Sequence, residues 1–461
     1  MTRRHHRTGL RGGFAAVLAG VLLSSCSVQP GYDTPRFPFA TKFGAGPEAS
    51  AVYLQDTAWW QRFDDPVLNK LVDTALQGNL DLEVARERVT EARALAATIA
   101  PGVSATGSAS GTRRGGSDIA TATGVSTSLG MTWLLDPYGG RKAQREAAAA
   151  RIQVADAELD AARLLLLSNL INTYIDLRFA QTALTLRQQE LRSRRRTLRL
   201  VRDLLQAGAA TRLDGVRAEA LVSETKTRIP PLEADIRNRM TEIAVLLGQN
   251  PGTELGLGQP RTQPHPDMPA EIGIPADLLR NRPDIRIAER LYYAAVADIG
   301  AAKADLYPAL SLGGTIELSV FDGIEGNSYR FGPTIRLPAL PDGPRKAAVS
   351  VRESRARQAH TTWSATVLGA IRDVETALTE YYSSALTVQA AQNTVRLYNQ
   401  TVSLTRELIA NDGATIRDLL DAEQSVAAAR INLAEARRGL GRDLVALNVS
   451  LGAGNRYKTQ R

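Results

Sequence analysis

Few residues in this sequence of 461 have the type and spacing that catalysis needs. The four histidines are scattered, at positions 5, 6, 265 and 360. The sequence contains no HExxH zinc motif, no phosphate-binding P-loop, no CxxC pair and no nucleophile elbow. We therefore predict that the protein is not an enzyme and has no metal or cofactor.

The one cysteine, Cys26, follows a basic stretch, an apolar run at 14–23 and two serines. This order is typical of a secretory signal. The position of Cys26 resembles a bacterial lipobox, in which the thiol receives diacylglycerol and becomes the first mature residue. We predict lipid attachment at Cys26, and Ser27 fits an outer-membrane lipoprotein; the alternative is a plain signal peptide with an incidental cysteine. One acyl anchor binds a membrane weakly, so a second hold is expected.

One stretch of the sequence occurs twice. Residues 202–219 and 406–423 align without a gap, 204 positions apart. Each copy reads as a helix, a glycine-containing turn and a second helix that begins with a capping-box pattern. The residues that end and restart the helix are Gly208, Thr211 and Asp214 in the first copy, and Gly413, Thr415 and Asp418 in the second. We predict two matched chain reversals in a protein built from two copies of one unit.

The two turns differ in charge. The second copy has Asp418 and Asp421, one helical turn apart, whereas the first has Arg217 at the position that matches Asp421. Capping alone explains a carboxylate at Asp418, because the first turn of a helix favours negative charge. Capping does not explain Asp421, which lies on roughly the same face. The second turn is therefore the candidate for a functional acidic site.

Long helices connect these turns to the rest of each unit. Residues 141–207 contain neither Pro nor Gly and predict a helix of nearly 70 residues, roughly 100 Å long. The second unit has its equivalent at 345–410. Helices of this length must pack lengthwise on others, as a coiled coil or as barrel staves. The first return helix, 213–247, contains Pro230 and Pro231, where we expect a kink or break.

The hydrophobic pattern before each long helix changes to strict alternation. The ranges 103–136 and 309–338 each predict a pair of strands of about ten residues, with one apolar and one polar face. Strands of this kind can cross an outer membrane in a tilted β-barrel. Four strands are too few to close a barrel, so a barrel would be shared between chains. The alternative is two ordinary hairpins that cap a helical bundle.

These patterns divide the chain into six segments. They are a signal peptide (1–25), an N-terminal anchor and linker (26–63), a first repeat (64–248), a proline-rich linker (249–275), a second repeat (276–453) and a tail (454–461). A single helix is predicted before each strand pair, at about 67–100 and 276–306. The predicted class is mainly α with membrane β.

The net charge of +8 does not indicate a nucleic-acid partner. Much of the excess lies near the N-terminus and in the arginine run at 192–196, which is typical of the solvated face of a long helix. Motifs of DNA- and RNA-binding modules are absent, and only 5% of the residues are aromatic.

Several motifs resemble those of outer membrane factors of the TolC and OprM type, especially the lipoprotein branch often labelled NodT. The motifs lie in order at 59–69 (WWQRFDDPVLN), 79–85 (NLDLEVA) and 282–308, which begins with Arg-Pro-Asp-Ile and ends with Leu-Tyr-Pro. The paired tryptophans and the Arg-Pro-Asp block are the specific part of the match. The resemblance covers nearly the whole chain, from Cys26 to about Gly454.

The resemblance implies a homotrimer with one twelve-stranded β-barrel in the outer membrane and a periplasmic α-barrel of long helices. It also implies three partners: a periplasmic adaptor protein, an inner-membrane pump and outer-membrane lipid. The protein would then be a passive channel that exports drugs or other small molecules. The same architecture could serve type I protein secretion. An alternative of another class is a lipid-anchored periplasmic coiled-coil scaffold without a pore.

TolC-like channels are gated at the periplasmic end by aspartates in a Val-Asp-Val-Leu-Asp-Ala segment. This chain has Arg-Asp-Leu-Leu-Asp-Ala at 417–422, so the resemblance makes Asp418 and Asp421 candidate gate residues. Three copies would place six carboxylates around the entrance, which should concentrate cations and favour protonation of some of them. The Tyr and Arg that lock the TolC entrance fall at Ile409 and Ala414, so that lock is absent. Candidate adaptor contacts are Gly208, Thr211, Asp214, Arg217, Gly413 and Thr415.

Overall fold

The structure is a computed structural model. It describes residues 30–38, 58–99, 102–117, 119–264, 282–411 and 413–454. The predicted signal peptide, the predicted lipid-attachment residue Cys26 and residues 265–275 of the predicted linker lie outside the described residues.

The chain repeats one order of elements. The first copy comprises a 3-10 turn (Trp59–Phe63), α1 (Pro66–Gly78), α2 (Leu80–Ala97), β1 (Val103–Gly116), β2 (Ile119–Leu135), α3 (Gly140–Gln206), α4 (Arg212–Thr227) and α5 (Ile229–Leu246). The second comprises α6 (Pro283–Ala304), β3 (Ala309–Phe321), β4 (Ile324–Arg336), α7 (Gly343–Ala410) and α8 (Ile416–Ser450). Each copy therefore runs from a helical segment through two strands to a long helix and its return, which confirms the tandem-repeat fold.

The single helix predicted at about 67–100 is wrong, because the structure divides it at Asn79. The Asn79 backbone is extended (φ −69°, ψ 129°), so α1 ends at Gly78 and α2 begins at Leu80. The Asn79 side chain accepts a hydrogen bond from the Leu82 amide at 3.0 Å, as an N-cap does. Its amide group donates to the carbonyl of Leu246 at 2.9 Å. The break thus ties the start of α2 to the end of α5.

The first return helix is interrupted just before its two prolines. Helix α4 ends at Thr227, and α5 begins at Ile229, with Pro230 and Pro231 in its first turn. Proline is tolerated there because the first amides of a helix have no helical partner. The second return helix, α8, has no such interruption over its 35 residues.

The chain forms two compact units. Unit 1 comprises residues 1–37, 88–156 and 287–365, of which residues 1–29 are not described. It contains a four-stranded antiparallel sheet in the order β1-β2-β3-β4. A small core of Val296, Ile299 and Ala356 packs against Tyr32 and Tyr292.

Unit 2 comprises residues 38–87, 157–286 and 366–461. Its core contains Trp59 and Leu68 together with Leu170 and Tyr174 of α3, and all four residues are fully buried. The Tyr174 hydroxyl donates a short hydrogen bond to the Asp65 carboxylate, which also caps α1 by accepting from the Val67 amide. Within the described residues, no helix combines the length and the apolar character that a membrane crossing requires.

The register of the sheet places apolar residues opposite apolar residues and polar residues opposite polar residues. Leu129 of β2 is opposite Ile316 of β3, and Ile316 is opposite Tyr329 of β4. On the other parity, Ser128 of β2 pairs with Ser108 of β1, with 2.8 Å between their hydroxyl oxygens. The apolar residues are exposed in the single chain: Val125, Leu129, Met131, Trp133, Leu312, Ile316, Leu318, Val320, Tyr329, Phe331 and Ile335. The sheet therefore has one exposed apolar face and one polar face.

A close backbone contact in unit 2 gives a prediction. Gly248 has φ +72°, and a Cβ added there would lie 2.1 Å from the Gly78 carbonyl oxygen. We expect Gly248→Ala to lower the free energy of unfolding by about 1–3 kcal/mol, the range for a non-glycine residue held in the left-handed region. Thermal unfolding followed by circular dichroism measures this. Gly258→Ala is the matched control, because its added Cβ meets nothing within 4 Å; equal midpoints for the two variants would contradict the prediction.

Candidate functional site

The two turns predicted from the duplicated sequence close with the same hydrogen bond. In the first turn, the Ala209 amide donates to the Leu204 carbonyl at 2.8 Å. In the second, the Gly413 amide donates to the Leu408 carbonyl at 2.8 Å. This bond satisfies a carbonyl that the end of the long helix leaves without a helical partner.

The two glycines of these turns do not occupy equivalent positions in the aligned copies. Gly208 has φ +73° and forms the left-handed end of α3. Gly413 aligns instead with Ala209, since the copies are 204 positions apart. The residue that aligns with Gly208 is Asp412, which lies outside the described residues.

Both predicted capping boxes are present. Thr211 and Thr415 have nearly the same backbone angles, φ −94° with ψ 157° and φ −94° with ψ 160°. The Thr415 amide donates to the Asp418 carboxylate at 2.9 Å, and the Asp418 amide donates to the Thr415 hydroxyl at 3.3 Å. Thr211 and Asp214 make the same pair of bonds. Hydrogen bonds from the threonine side chain and amide lower the pKa of Asp214 and of Asp418.

Asp421 differs from Asp418 in its surroundings. Its side chain is 70% exposed, and the nearest basic group is Arg417, also exposed, with 3.9 Å between the Arg417 Nε and an Asp421 carboxylate oxygen. At that distance and exposure the pair is weak. The carboxylate of Asp418 thus caps the start of α8, whereas the carboxylate of Asp421 is exposed to solvent. Arg217, which matches Asp421 in the first copy, is exposed as well.

The opposite face of α8 is buried against both long helices. Ala422 and Val426 pack with Val402 of α7. Ile416 packs against a cluster that includes Leu198 of α3 and Val222 of α4. The start of α8 is therefore packed on one side, and the other side, with Asp421, is exposed.

A buried carboxylate ties this face of α8 to α3. The side chain of Glu423 is only 5% exposed. It accepts hydrogen bonds from Arg406 of α7 at 2.8 Å and from the hydroxyls of Ser193 and Thr197 of α3 at 3.1 Å. These bonds supply the partners that a buried charge requires.

A second, half-buried carboxylate, Glu190 of α3, lies in the same part of unit 2. It accepts from Arg187 at 2.7 Å and from Arg194 at 2.9 Å, and Thr225 of α4 donates to it at 3.4 Å. Burial alone would raise the pKa of Glu190, but the two arginines outweigh it and the pKa is lowered. The sequence analysis did not identify either carboxylate as a site residue. One feature of the sequence could have identified Glu423. The pair Arg406 and Glu423 repeats the pair Arg202 and Glu219 at the same spacing.

The described residues contain no group of three His, Cys, Asp or Glu side chains that could hold a metal ion. The site features that the structure does describe are two capped turns, one of which carries an exposed carboxylate, at the ends of helices of 67 and 68 residues.

Comparison with known proteins identifies the class. The model of the family described as "Outer membrane efflux protein" matches residues 71–249 and 274–453. The chain is 37% identical over 450 residues to Nodulation protein T of Rhizobium leguminosarum bv. viciae, which covers 95% of the chain and 93% of that protein. It is 30% identical over 390 residues to outer membrane protein OprJ of Pseudomonas aeruginosa, or 79% of the chain and 80% of OprJ.

Among solved structures, the outer-membrane channel OprN has a TM-score of 0.82 and 30% identity, over 93% of this chain and 99% of that one. The protein belongs to the outer membrane efflux protein family. The resemblance stated from the sequence motifs, and the fold it implied, are thereby confirmed.

The second capping box gives a prediction. Thr415→Ala removes the hydroxyl that caps α8, which should destabilise the first turn by about 1 kcal/mol and speed amide exchange there roughly fivefold. Because the pKa of Asp418 is lowered, the cap is fully present above the ordinary pKa of an aspartate and is lost as the pH falls through the lowered value. Hydrogen exchange by mass spectrometry measures this. Thr415→Ser keeps a hydroxyl and serves as the control; equal exchange in the two variants would rule the cap out.

Proposed function

We propose that this protein is the outer-membrane channel of a tripartite efflux system. It assembles as a homotrimer, docks on a periplasmic adaptor protein and an inner-membrane pump, and conducts drugs or other small molecules to the exterior. The channel is passive and the pump supplies the energy. Family membership supports the efflux role, and the exposed apolar face of the sheet carries the proposal for this chain.

The apolar face suits lipid, and the opposite face suits water. Apolar side chains on one parity of all four strands would be costly to leave in water. The serine pairs on the other parity, such as Ser110 and Ser126 with 2.9 Å between their oxygens, suit a water-filled interior. Twelve strands from three chains would enclose such an interior, whereas four would not.

We assign the gate to the second turn. The exposed carboxylate of Asp421 lies one turn beyond a rigidly capped helix start, so three copies would form an acidic ring at the periplasmic entrance. Asp418 contributes charge to the same ring while it caps α8. A ring of carboxylates attracts cations to the entrance. The first turn, with Arg217 in place of Asp421, faces the adaptor.

We also propose that Cys26 carries the lipid anchor. A single acyl chain holds a protein on a membrane only marginally. The apolar face of the sheet supplies the second hold, so the anchor assists insertion and is not the sole attachment.

Channel formation is tested in planar lipid bilayers. The purified protein should conduct ions, and Asp421→Ala should weaken cation selectivity or cation block while the trimer keeps its thermal stability. The control is Asp203→Ala, which removes an exposed carboxylate in the last turn of α3 and should leave selectivity unchanged. A protein that reconstitutes as a trimer but never conducts, even with Asp418 and Asp421 both replaced, would favour the scaffold without a pore.

Lipid attachment is tested by metabolic labelling with a radioactive fatty acid. Cys26→Ser should abolish the label. The variant should still fractionate with the outer membrane, because the strands hold it there. Label retained in Cys26→Ser would exclude attachment at this thiol. A variant that is fully released from the membrane would contradict the proposal that the strands also attach the protein to it.

A further inference from the structure

A cavity of about 280 Å³ lies within unit 2, between three helices. Its wall is formed by residues in the ranges 186–196 of α3, 399–406 of α7 and 423–431 of α8. The volume exceeds what a bare phosphate ion needs and is close to about 300 Å³, the lower end of ligand pockets in proteins. One chain therefore builds, by itself, a cavity that a small organic molecule can occupy.

Arginine is the most frequent charged residue in the wall of this cavity. The wall contains four arginines and two glutamates: Arg194, Arg196, Arg406, Arg430, Glu190 and Glu423. Four positive charges against two negative ones leave an excess of +2. We call this site the arginine cavity.

Both glutamates of the arginine cavity are already paired with basic side chains. Glu190 accepts hydrogen bonds from Arg187 at 2.7 Å and from Arg194 at 2.9 Å. Glu423 accepts from Arg406 at 2.8 Å and from two hydroxyls of α3. Because these bonds satisfy the two carboxylates, neither needs a cation from solution. The charge of the cavity thus suits an anion.

The two other arginines of the wall have no carboxylate partner in the described part of the chain. Arg430 is half-buried, and its Nη2 donates to the Asn399 side-chain oxygen at 2.6 Å. A guanidinium group has five N–H donors, so this bond leaves others for a ligand. Arg196 is exposed, at the solvent side of the wall. An anion can therefore enter from solution and meet two arginines that no carboxylate neutralises.

Arg194 provides a separate observation that points to an anionic ligand. Its side chain is 5% exposed, and its Nε and Nη2 atoms each lie 2.9 Å from a Glu190 carboxylate oxygen. Its Nη1 atom is buried and has no hydrogen-bond partner in the described part of the chain. A buried donor of this kind is costly unless an acceptor reaches it. An anionic oxygen in the cavity that Arg194 lines would be that acceptor.

We propose that the arginine cavity binds a small organic anion that carries a phosphate group. A phosphate monoester has a charge of about −1.5 to −2 at pH 7, which matches the excess charge of the wall. The planar fork of an arginine fits two phosphate oxygens at once. This inference goes beyond the proposed channel function, and it does not depend on the trimer because one chain forms the whole wall.

A bound anion would contact three helices at once, through Arg194 of α3, Arg406 of α7 and Arg430 of α8. Arg430 lies nine positions after Asp421 on the same helix. An occupied arginine cavity therefore links the helix that carries the exposed carboxylate to both long helices. Ligand that binds only the folded state also stabilises that state.

The proposal is tested by isothermal titration calorimetry of the full chain, purified in detergent, with glycerol 3-phosphate. The wild type should bind one molecule per chain with saturation. Arg430→Gln and Arg196→Gln should each weaken binding at least about tenfold, as expected for the loss of a hydrogen bond between charged groups. Arg195→Gln is the matched control and should bind as the wild type does, because Arg195 is an exposed neighbour that does not line the cavity.

Three outcomes of this titration would overturn the proposal. They are no saturable binding to the wild type, equal weakening by Arg195→Gln, and saturable binding of uncharged glycerol. Equal or tighter binding of inorganic phosphate would overturn the organic ligand that the cavity volume indicates. Circular dichroism checks that each variant is folded, and Arg196→Gln decides the question if Arg430→Gln is not, because the Arg196 side chain is exposed and has no carboxylate partner in the described chain.

Hydrogen exchange by mass spectrometry locates the bound ligand. Glycerol 3-phosphate should slow amide exchange in the segments 186–196, 399–406 and 423–431 of the wild type, and should not do so in Arg430→Gln. Slower exchange only in other segments would show that the anion binds elsewhere and would overturn the assignment. Failure of either experiment leaves the channel function standing, since conductance is measured independently.

Discussion

Unpaired strand edges are the constraint on which the rest of the molecule depends. Among the described strands, β1 and β4 each pair on one side only. Backbone amides and carbonyls on their outer edges need partners, most of all in lipid, where no water can supply them. The apolar sheet face and the two open edges are the features that the proposed barrel, shared between copies of the chain, accounts for.

Local sequence patterns predicted the elements well because each pattern reflects a local cause. Alternating apolar residues predicted the four strands, and the absence of Pro and Gly from 141–207 predicted α3. The Thr-Asp spacing gave both capping boxes, since that hydrogen-bonding unit is complete within four residues. Pro230 and Pro231 gave the interruption of the first return helix, although the break falls at Arg228, just before them.

What the sequence did not predict depends on residues distant in the chain. The break at Asn79 is joined to the Leu246 carbonyl, and the pattern of apolar residues across 67–100 is compatible with one helix. The burial of Glu423 requires Ser193 and Thr197, which are more than two hundred positions away. Glu219 occupies the same position in the duplicated stretch and is 69% exposed, so the pattern that the two copies share could not separate the two.

The two turns also show how a duplicated segment can change its charge without changing its backbone. Each turn is closed by bonds that run inward, from a backbone amide to its own long helix and from a threonine to its own return helix. The outward positions, such as 217 and 421, take no part in those bonds. Mutation can therefore reverse the charge of one tip, from arginine to aspartate, while folding of either hairpin is unaffected. A gene duplication that began with two identical ends can in this way produce two ends that share one backbone and differ in charge.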